Sequence, residues 1–288
     1  MSKFHLACYY RANPVEQVAQ RHSEVCDALQ RVDGSLGWAQ ALAPTVPDFG
    51  RELVAVYDVK LRMPSIRCSG AYAYRDAAYL RIDKAVYDDS LLYQFASLPP
   101  RPDYTRLLGQ EVPRIVEGFC AYRAAANFYL YSVKYENLHP DVIGGFKKDP
   151  AVDLDGRNNI FTLEVIQYWD AELCQRALGY GRDEVIKRLT GKVPLVQPLM
   201  DGVYVVFNDN PNLTFEEFCA YNDKLKRIDL AAGTSEWVVD ESVFASLGFT
   251  HLHLAGFDLD AQGRMWLAAA TTNYDEYRLH RVELGDAG

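Results

Sequence analysis

Within residues 4–34 the hydrophobic pattern passes from a strand to an amphipathic helix, and that passage dictates how the chain can fold. Phe4 to Tyr10 (FHLACYY) reads as a strand. Asn13 then offers a helix cap, Pro14 suits the first helical position, and Glu16 completes a spacing like that of a capping box. Val15, Val18, Ala19, His22, Val25, Cys26, Leu29 and Val32 follow at helical intervals, leaving Glu16, Gln20, Glu24, Asp27 and Arg31 outside. Asp33-Gly34 ends the helix. Elements of both kinds, each with an apolar side, predict an α+β fold: mixed or antiparallel sheets packed against amphipathic helices.

Further along, Leu53 to Met63 alternates as a strand, whereas residues 66–83 (IRCSGAYAYRDAAYLRID) fit either a strand pair or a short helix. Pro99, Pro100 and Pro102 break the chain, and Tyr104 to Tyr122 reads as helical despite Pro113. Asn127 to Tyr135 reads as a strand from its aromatic and β-branched content. Ile160 to Tyr168 resembles another strand, and helical material runs from Ala171 to Leu189 with an interruption near Gly179-Tyr180-Gly181. VYVVF at 203–207 reads as a buried strand, and Thr214 with Glu217 forms a capping box for a helix carrying Phe215, Phe218, Leu225 and Ile228 inward. Residues 251–270 read as a hairpin turning at 260–263, with a last strand around Tyr277 to Leu284. Gly, Pro, Asp and Asn dominate 139–159, which reads as a loop or linker. The expected organisation is an N-terminal lobe at 1–145, a loop or linker at 146–159 and a C-terminal lobe at 160–288, or one continuous domain.

A chain of 288 residues that is 49% apolar can build a substantial core. Its net charge of −9 disfavours general binding to nucleic acid or to an anionic membrane. Basic proteins such as nucleases are the class of partner that an acidic surface attracts, although surplus acid also simply favours solubility. Six cysteines lie far apart with no C-x-x-C pair, so neither a metal-ligand spacing nor a disulfide scaffold is present in the pattern. The opening residues lack the apolar core of a signal peptide and no apolar run is long enough to span a bilayer, so a cytoplasmic protein is expected.

Candidate chemistry is sparse. His251 and His253 would point to one side of a strand, where two imidazoles could share a divalent ion with oxygens from Asp258 or Asp260; two histidines on the polar side of a hairpin explain the same residues. Asp258, Asp260 and Gly263 lack the remaining ligands of a calcium loop and read as a tight turn. No G-x-S-x-G elbow and no phosphate-binding loop occurs, and no cofactor is called for. The nineteen tyrosines are more suggestive, because tyrosine is heavily used at interfaces. Tyr72, Tyr74, Tyr79, Tyr87 and Tyr93 cluster with Asp76, Asp83, Asp88 and Asp89, and could face a basic partner or line one side of a sheet.

Tyr9-Tyr10 after a short strand, the amphipathic helix and Trp38 shortly after its end together resemble the opening of the immunity-protein-52 family of bacterial toxin systems. Gly202 to Phe207 followed by the capped helix from Thr214 is in keeping with that family's C-terminal strand and helix. The resemblance implies a cytosolic antidote encoded beside a nuclease toxin of the restriction-endonuclease fold, in a role like that of the family's type VI secretion members. The expected function is stoichiometric binding of a cognate toxin that is basic at the contact face, with no direct nucleic-acid or membrane partner and no catalysis. Asp149, Asp153, Asp155, Tyr72, Tyr74, Asp83, Asp88 and Asp89 are the contact candidates. A metal-dependent hydrolase using His251 and His253, and a structural adaptor of a secretion or phage-like assembly, are the alternatives.

Overall fold

Strand β1 (Phe4–Tyr10) is the fifth of nine strands in one sheet, hydrogen-bonded on both edges, and the chain is arranged around it. The computed structural model describes residues 4–13, 15–45, 53–73, 88–128, 130–138, 156–158, 160, 162–227, 253–259, 265–270 and 277–282. The other strands of this sheet are β2 (Trp38–Ala41), β3 (Leu53–Leu61), β4 (Ile66–Ala73), β5 (Asp89–Phe95), β6 (Arg123–Phe128), β7 (Ile166–Trp169), β8 (Leu195–Leu199) and β9 (Gly202–Val206). Their order is β2-β3-β4-β5-β1-β6-β7-β9-β8, and every pairing is antiparallel. The fold is α+β. β6 lies before residues 146–159 and β7 after them, and the two pair directly, so the sheet is continuous across that stretch of sequence.

Period-two alternation decides which residues close the core. Phe4, Leu6 and Cys8 of β1, with Leu91, Tyr93 and Phe95 of β5 and Ala124 and Ala126 of β6, are buried on one side. Helix α1 (Val18–Gln30) and the helical segment from Arg101 to Gly118 cover that side. Phe4 sits edge-on among Phe95, Phe128 and Tyr104, with ring centroids 5.4, 5.3 and 6.0 Å away. Two of the buried aromatic side chains place their polar tips on partners: Trp38 Nε1 donates to the Tyr93 hydroxyl (2.9 Å), and the Tyr204 hydroxyl donates to the Leu108 carbonyl (2.6 Å).

Helix α1 begins later than the sequence pattern suggests. Asn13 Oδ1 accepts from Val15 N–H (3.2 Å) and closes a turn, so it does not cap the helix, and Val15 is 83% exposed. The buried positions are Arg21, Val25 and Leu29, a spacing of four that puts a cation in line with the apolar side of the helix. Pro14 lies outside the described residues.

The segment after the prolines is helical, as expected, in three parts: α2 (Arg101–Arg106), a wider π-helical stretch (Leu107–Glu111) and α3 (Val112–Gly118). The wide turn falls just before Pro113, which has no N–H to offer the carbonyl four residues back. Within it, buried Glu111 Oε2 accepts from Ser35 N–H (2.8 Å), Ser35 Oγ (2.8 Å) and Leu36 N–H (3.1 Å). Gly34 has φ +101°, and a Cβ there would lie 2.5 Å from the Glu111 side chain. This carboxylate locks the loop between α1 and β2 onto the helical segment.

The content of Asn127–Tyr135 predicts a strand, but β6 ends at Phe128 and α4 (Tyr131–Leu138) follows. Tertiary packing overrides local preference here: Tyr131 lies 5.1 Å from Phe128 and 5.6 Å from Phe218, and its hydroxyl donates to the Leu213 carbonyl (2.9 Å). Further on are the short helix α5 (Ala171–Leu173) with its π-helical continuation (Cys174–Leu178), α6 (Arg182–Leu189) and α7 (Phe215–Arg227). The break falls at Gly179, φ +72°. The capping box of α7 forms as read, with Glu217 Oε2 accepting from Thr214 N–H (2.8 Å) and Glu217 N–H donating to Thr214 Oγ1 (3.2 Å). β9 is buried throughout; Tyr204 and Val206 join the main core, while α6 packs along β8 and β9 with Val185 and Leu189 buried.

A second compact unit includes residues 253–259, 265–270 and 277–282. Its described part is a three-stranded antiparallel sheet of β10 (His253–Leu259), β11 (Met265–Ala270) and β12 (Tyr277–Val282), which are the expected hairpin strands and last strand. The turn read at 260–263 lies outside the described residues.

Glu111→Ala removes an acceptor from two backbone N–H groups inside the fold. It is expected to lower unfolding free energy by about 3 kcal/mol, measured as a drop in urea midpoint at constant slope; an unchanged midpoint would show that the loop is held elsewhere.

Candidate binding surface

The other side of the sheet is closed over β7 and β9 but half-exposed over β3, β4, β5, β1 and β6. Cross-strand partners there fall into rows. Arg123, Tyr9, Ser90, Ala71 and Val56 form one; Ala125, Ala7, Leu92, Ser69 and Asp58 form the next. Asn127, His5, Gln94 and Arg67 form a third. Alanine and serine in the inner rows keep the side chains short, so the surface follows the backbone. A shallow depression of about 330 Å³ lies over Val56, Ser69, Ala71, Ser90 and Leu92. Such a shape offers broad contact; it does not enclose a small ligand, which ordinarily loses most of its surface in a pocket.

One end of this face carries a network of arginines and tyrosines. Asp88, just before β5, accepts from the Tyr122 hydroxyl (2.6 Å) and from Arg157, and Arg123 lies 3.8 Å away. The Arg123 guanidinium stacks over the ring of Tyr9 at 4.3 Å, and that of Arg11 over Tyr122 at 3.9 Å. Arg11 also pairs with Asp170, whose carboxylate accepts from Leu173 N–H (2.7 Å) and caps α5. A cleft of about 270 Å³ opens beside Tyr9, Arg123, Gln167 and Trp169. Burial, and then the Asp88 charge, push the Tyr122 phenol up, so it stays protonated and donates. The Arg11 and Arg123 guanidiniums thus lie over aromatic rings before any partner arrives.

Beneath the network lies a charge that is fully enclosed. Arg21 of α1 is 3% exposed; its guanidinium lies 3.8 Å above the Tyr10 ring and donates to the Phe119 carbonyl. Its Nε is 3.9 Å from Asp89, whose Oδ1 accepts from Ala73 N–H (2.9 Å). At the next position of the helix, His22 Nδ1 meets the Tyr72 hydroxyl (2.9 Å) and Nε2 meets Cys26 Sγ (3.4 Å). Burial holds His22 below the ordinary imidazole range and pushes the Cys26 thiol up, so the pair is neutral and does not form a thiolate–imidazolium couple.

Of the sequence-nominated contacts, Tyr72 and Asp89 are wholly buried and the Asp88 side chain is 6% exposed. This corrects their expected place on the outer surface. Tyr72 packs on His22 and Tyr57, Asp89 holds β4 and α1, and Asp88 positions Arg123. Tyr74, Asp83, Asp149, Asp153, Asp155 and His251 lie outside the described residues, and His253 opens β10. Tyr9, Arg11, Arg123 and Asp170 are not among the contacts that the sequence nominates. The Tyr9-Tyr10 pair stands out there only as a packing motif, and nothing in the local pattern around Arg123 marks it.

Among the described residues no group of three or more His, Cys, Asp or Glu side chains is placed to hold a metal ion. Burial pushes the Cys8 and Cys68 thiols up, and Cys174 up to about 12. Among the described residues no helix is long and apolar enough to cross a membrane.

No family model matches the chain, and no curated protein matches it in sequence. The resemblance of residues 9–38 to the immunity-protein-52 family thus has no family-model match behind it. Among solved structures, the Pseudomonas aeruginosa T6SS protein PA0821 is similar, at 12% identity over 80% of this chain and 72% of that one, with a TM-score of 0.44. A likeness that distant carries no argument for function.

Arg21→Met takes away the cation facing buried Asp89 and should cost about 3 kcal/mol or more. Arg21→Met/Asp89→Asn should cost less than the sum of the single variants in urea unfolding, and strict additivity would deny the coupling. His22 sits below its unfolded value of 6.5, so its contribution is complete above that pH and is lost as pH falls toward the folded value. Thermal midpoints between pH 7.5 and 5 should fall for the parent chain and fall less for His22→Gln.

Proposed function

We propose that this chain is a stoichiometric binding protein that neutralises a secreted bacterial toxin, with a nuclease of a type VI secretion system as the partner implied by the resemblance of residues 9–38. The observation that carries the reading is the open, small-residue sheet face bounded by ring-stacked arginines. Five strands about 4.8 Å apart, with three same-side rows about 7 Å apart, span roughly 20 by 15 Å. That is more than a third of the about 800 Å² that each partner contributes to a stable interface, and the arginine–tyrosine end extends it. Arginine and tyrosine are also the residue types on which binding energy concentrates. Because Asp88 and Asp170 already hold Arg123 and Arg11, little ordering remains to oppose association.

The direct test is to express the product of the neighbouring gene in a bacterial host with and without this chain, then purify both together. Rescue of growth with a one-to-one complex is expected. Unrelieved toxicity and no complex would overturn the proposal, as would turnover by the isolated protein that disappears in His251→Ala or His253→Ala. Within a complex, Arg123→Ala should weaken binding by about 2 kcal/mol, read by titration calorimetry.

A further inference from the structure

One turn apart on α1, His22 and Cys26 are both half-buried, beside the line of Arg21, Val25 and Leu29 that enters the core. His22 Nε2 lies 3.4 Å from Cys26 Sγ. The other ring nitrogen, Nδ1, meets the hydroxyl of buried Tyr72 at 2.9 Å. Tyr57 stacks on Tyr72 with centroids 5.0 Å apart and meets the His22 ring edge-on at 4.9 Å. The imidazole is thus held from the core side, with its second nitrogen turned to the sulfur. The binding reading above makes no use of this pair.

The geometry points to a site for one soft monovalent cation of the copper(I) class, held between His22 Nε2 and Cys26 Sγ. Imidazole nitrogen and thiolate sulfur bind metals at about 2.0 and 2.3 Å. Two such bonds meeting at about 110 to 120° put the donors about 3.5 to 3.7 Å apart. The pair therefore opens by only a few tenths of an ångström to admit an ion. Spacing of four on a helix places both side chains on one face. The Tyr72 hydroxyl on Nδ1 is the kind of outer contact that fixes a ligating histidine and leaves Nε2 for the metal. Charge then selects the ion. The cation replaces the Cys26 proton, which leaves to solvent, so a monovalent ion adds no net charge. A divalent ion would add one positive charge to a half-buried site, with the Arg21 cation close to Tyr72 and Tyr57 behind it. Coordination number agrees. Among the described residues no third His, Cys, Asp or Glu is placed to share the ion. That suits a soft cation satisfied by two or three ligands, whereas zinc asks for four.

The test uses the full chain with Cys120→Ser, which removes the one cysteine that is exposed. Copper(I) is supplied without oxygen as its coloured complex with bicinchoninate, and loss of colour reports transfer to the protein. One equivalent is expected to transfer, with a shift of the His22 Nε2 resonance. His22→Gln and Cys26→Ser are each expected to abolish the transfer, and Tyr72→Phe to weaken it about tenfold. Far-ultraviolet spectra like that of the parent chain check that the variants fold, and the His22 resonance decides the matter where one does not. Failure of the chain to take copper would overturn the inference. So would transfer that survives His22→Gln, because a thiol alone would then suffice, or transfer that leaves the His22 resonance unmoved. Displacement of the copper by equimolar zinc(II) would overturn it as well. No toxin enters this experiment, so its outcome and that of the toxin rescue are independent.

Discussion

The enclosed guanidinium of Arg21 is the interaction on which the surrounding architecture depends. It touches the Tyr10 ring at the end of β1 and the Phe119 carbonyl after α3, and it faces Asp89 at the start of β5. Asp89 in turn holds the end of β4 through Ala73. A cation in an apolar interior is tolerated only when its surroundings neutralise and hydrogen-bond it, so these pieces must meet in one arrangement or not pack at all. The same requirement puts the ends of β1, β5 and β6 side by side, which is where Tyr9, Asp88 and Arg123 gather.

The two sides of the sheet follow from the chemistry of alternate residues. Bulky apolar and aromatic side chains on one side require a cover, and α1 with the Arg101–Gly118 segment supplies it. On the other side, α6 packs along β9, where Val203 and Val205 are buried. The rows of alanine, serine and a few charged residues beyond it offer little apolar area to bury, and they remain half-exposed. A sheet that is rigid because one side is tightly packed can therefore present a flat, preformed surface on the other.

Within the polar network, carboxylates act chiefly as internal organisers. Glu111 receives three hydrogen bonds on one oxygen, Asp170 caps a helical turn while pairing with Arg11, and Asp88 aligns Tyr122 with two arginines. The acidic groups that a sequence suggests as contacts thus prepare basic and aromatic ones for contact.

Sequence by itself determined the class of fold, the limits of β1, the capping box of Thr214 and Glu217, the break at Gly179 and the buried strand β9. Each is set by local periodicity, capping or backbone freedom, which act over a few residues. Tertiary structure alone decided that Arg21 turns inward, that residues 131–138 are helical in spite of their β-favouring side chains, and that Tyr72, Asp88 and Asp89 serve the interior. It also brought Tyr9 of β1, Asp88 just before β5 and Arg123 of β6 together from positions far apart in sequence. These outcomes depend on what a side chain meets across the sheet, and neither pattern nor propensity along the chain records its distant neighbours.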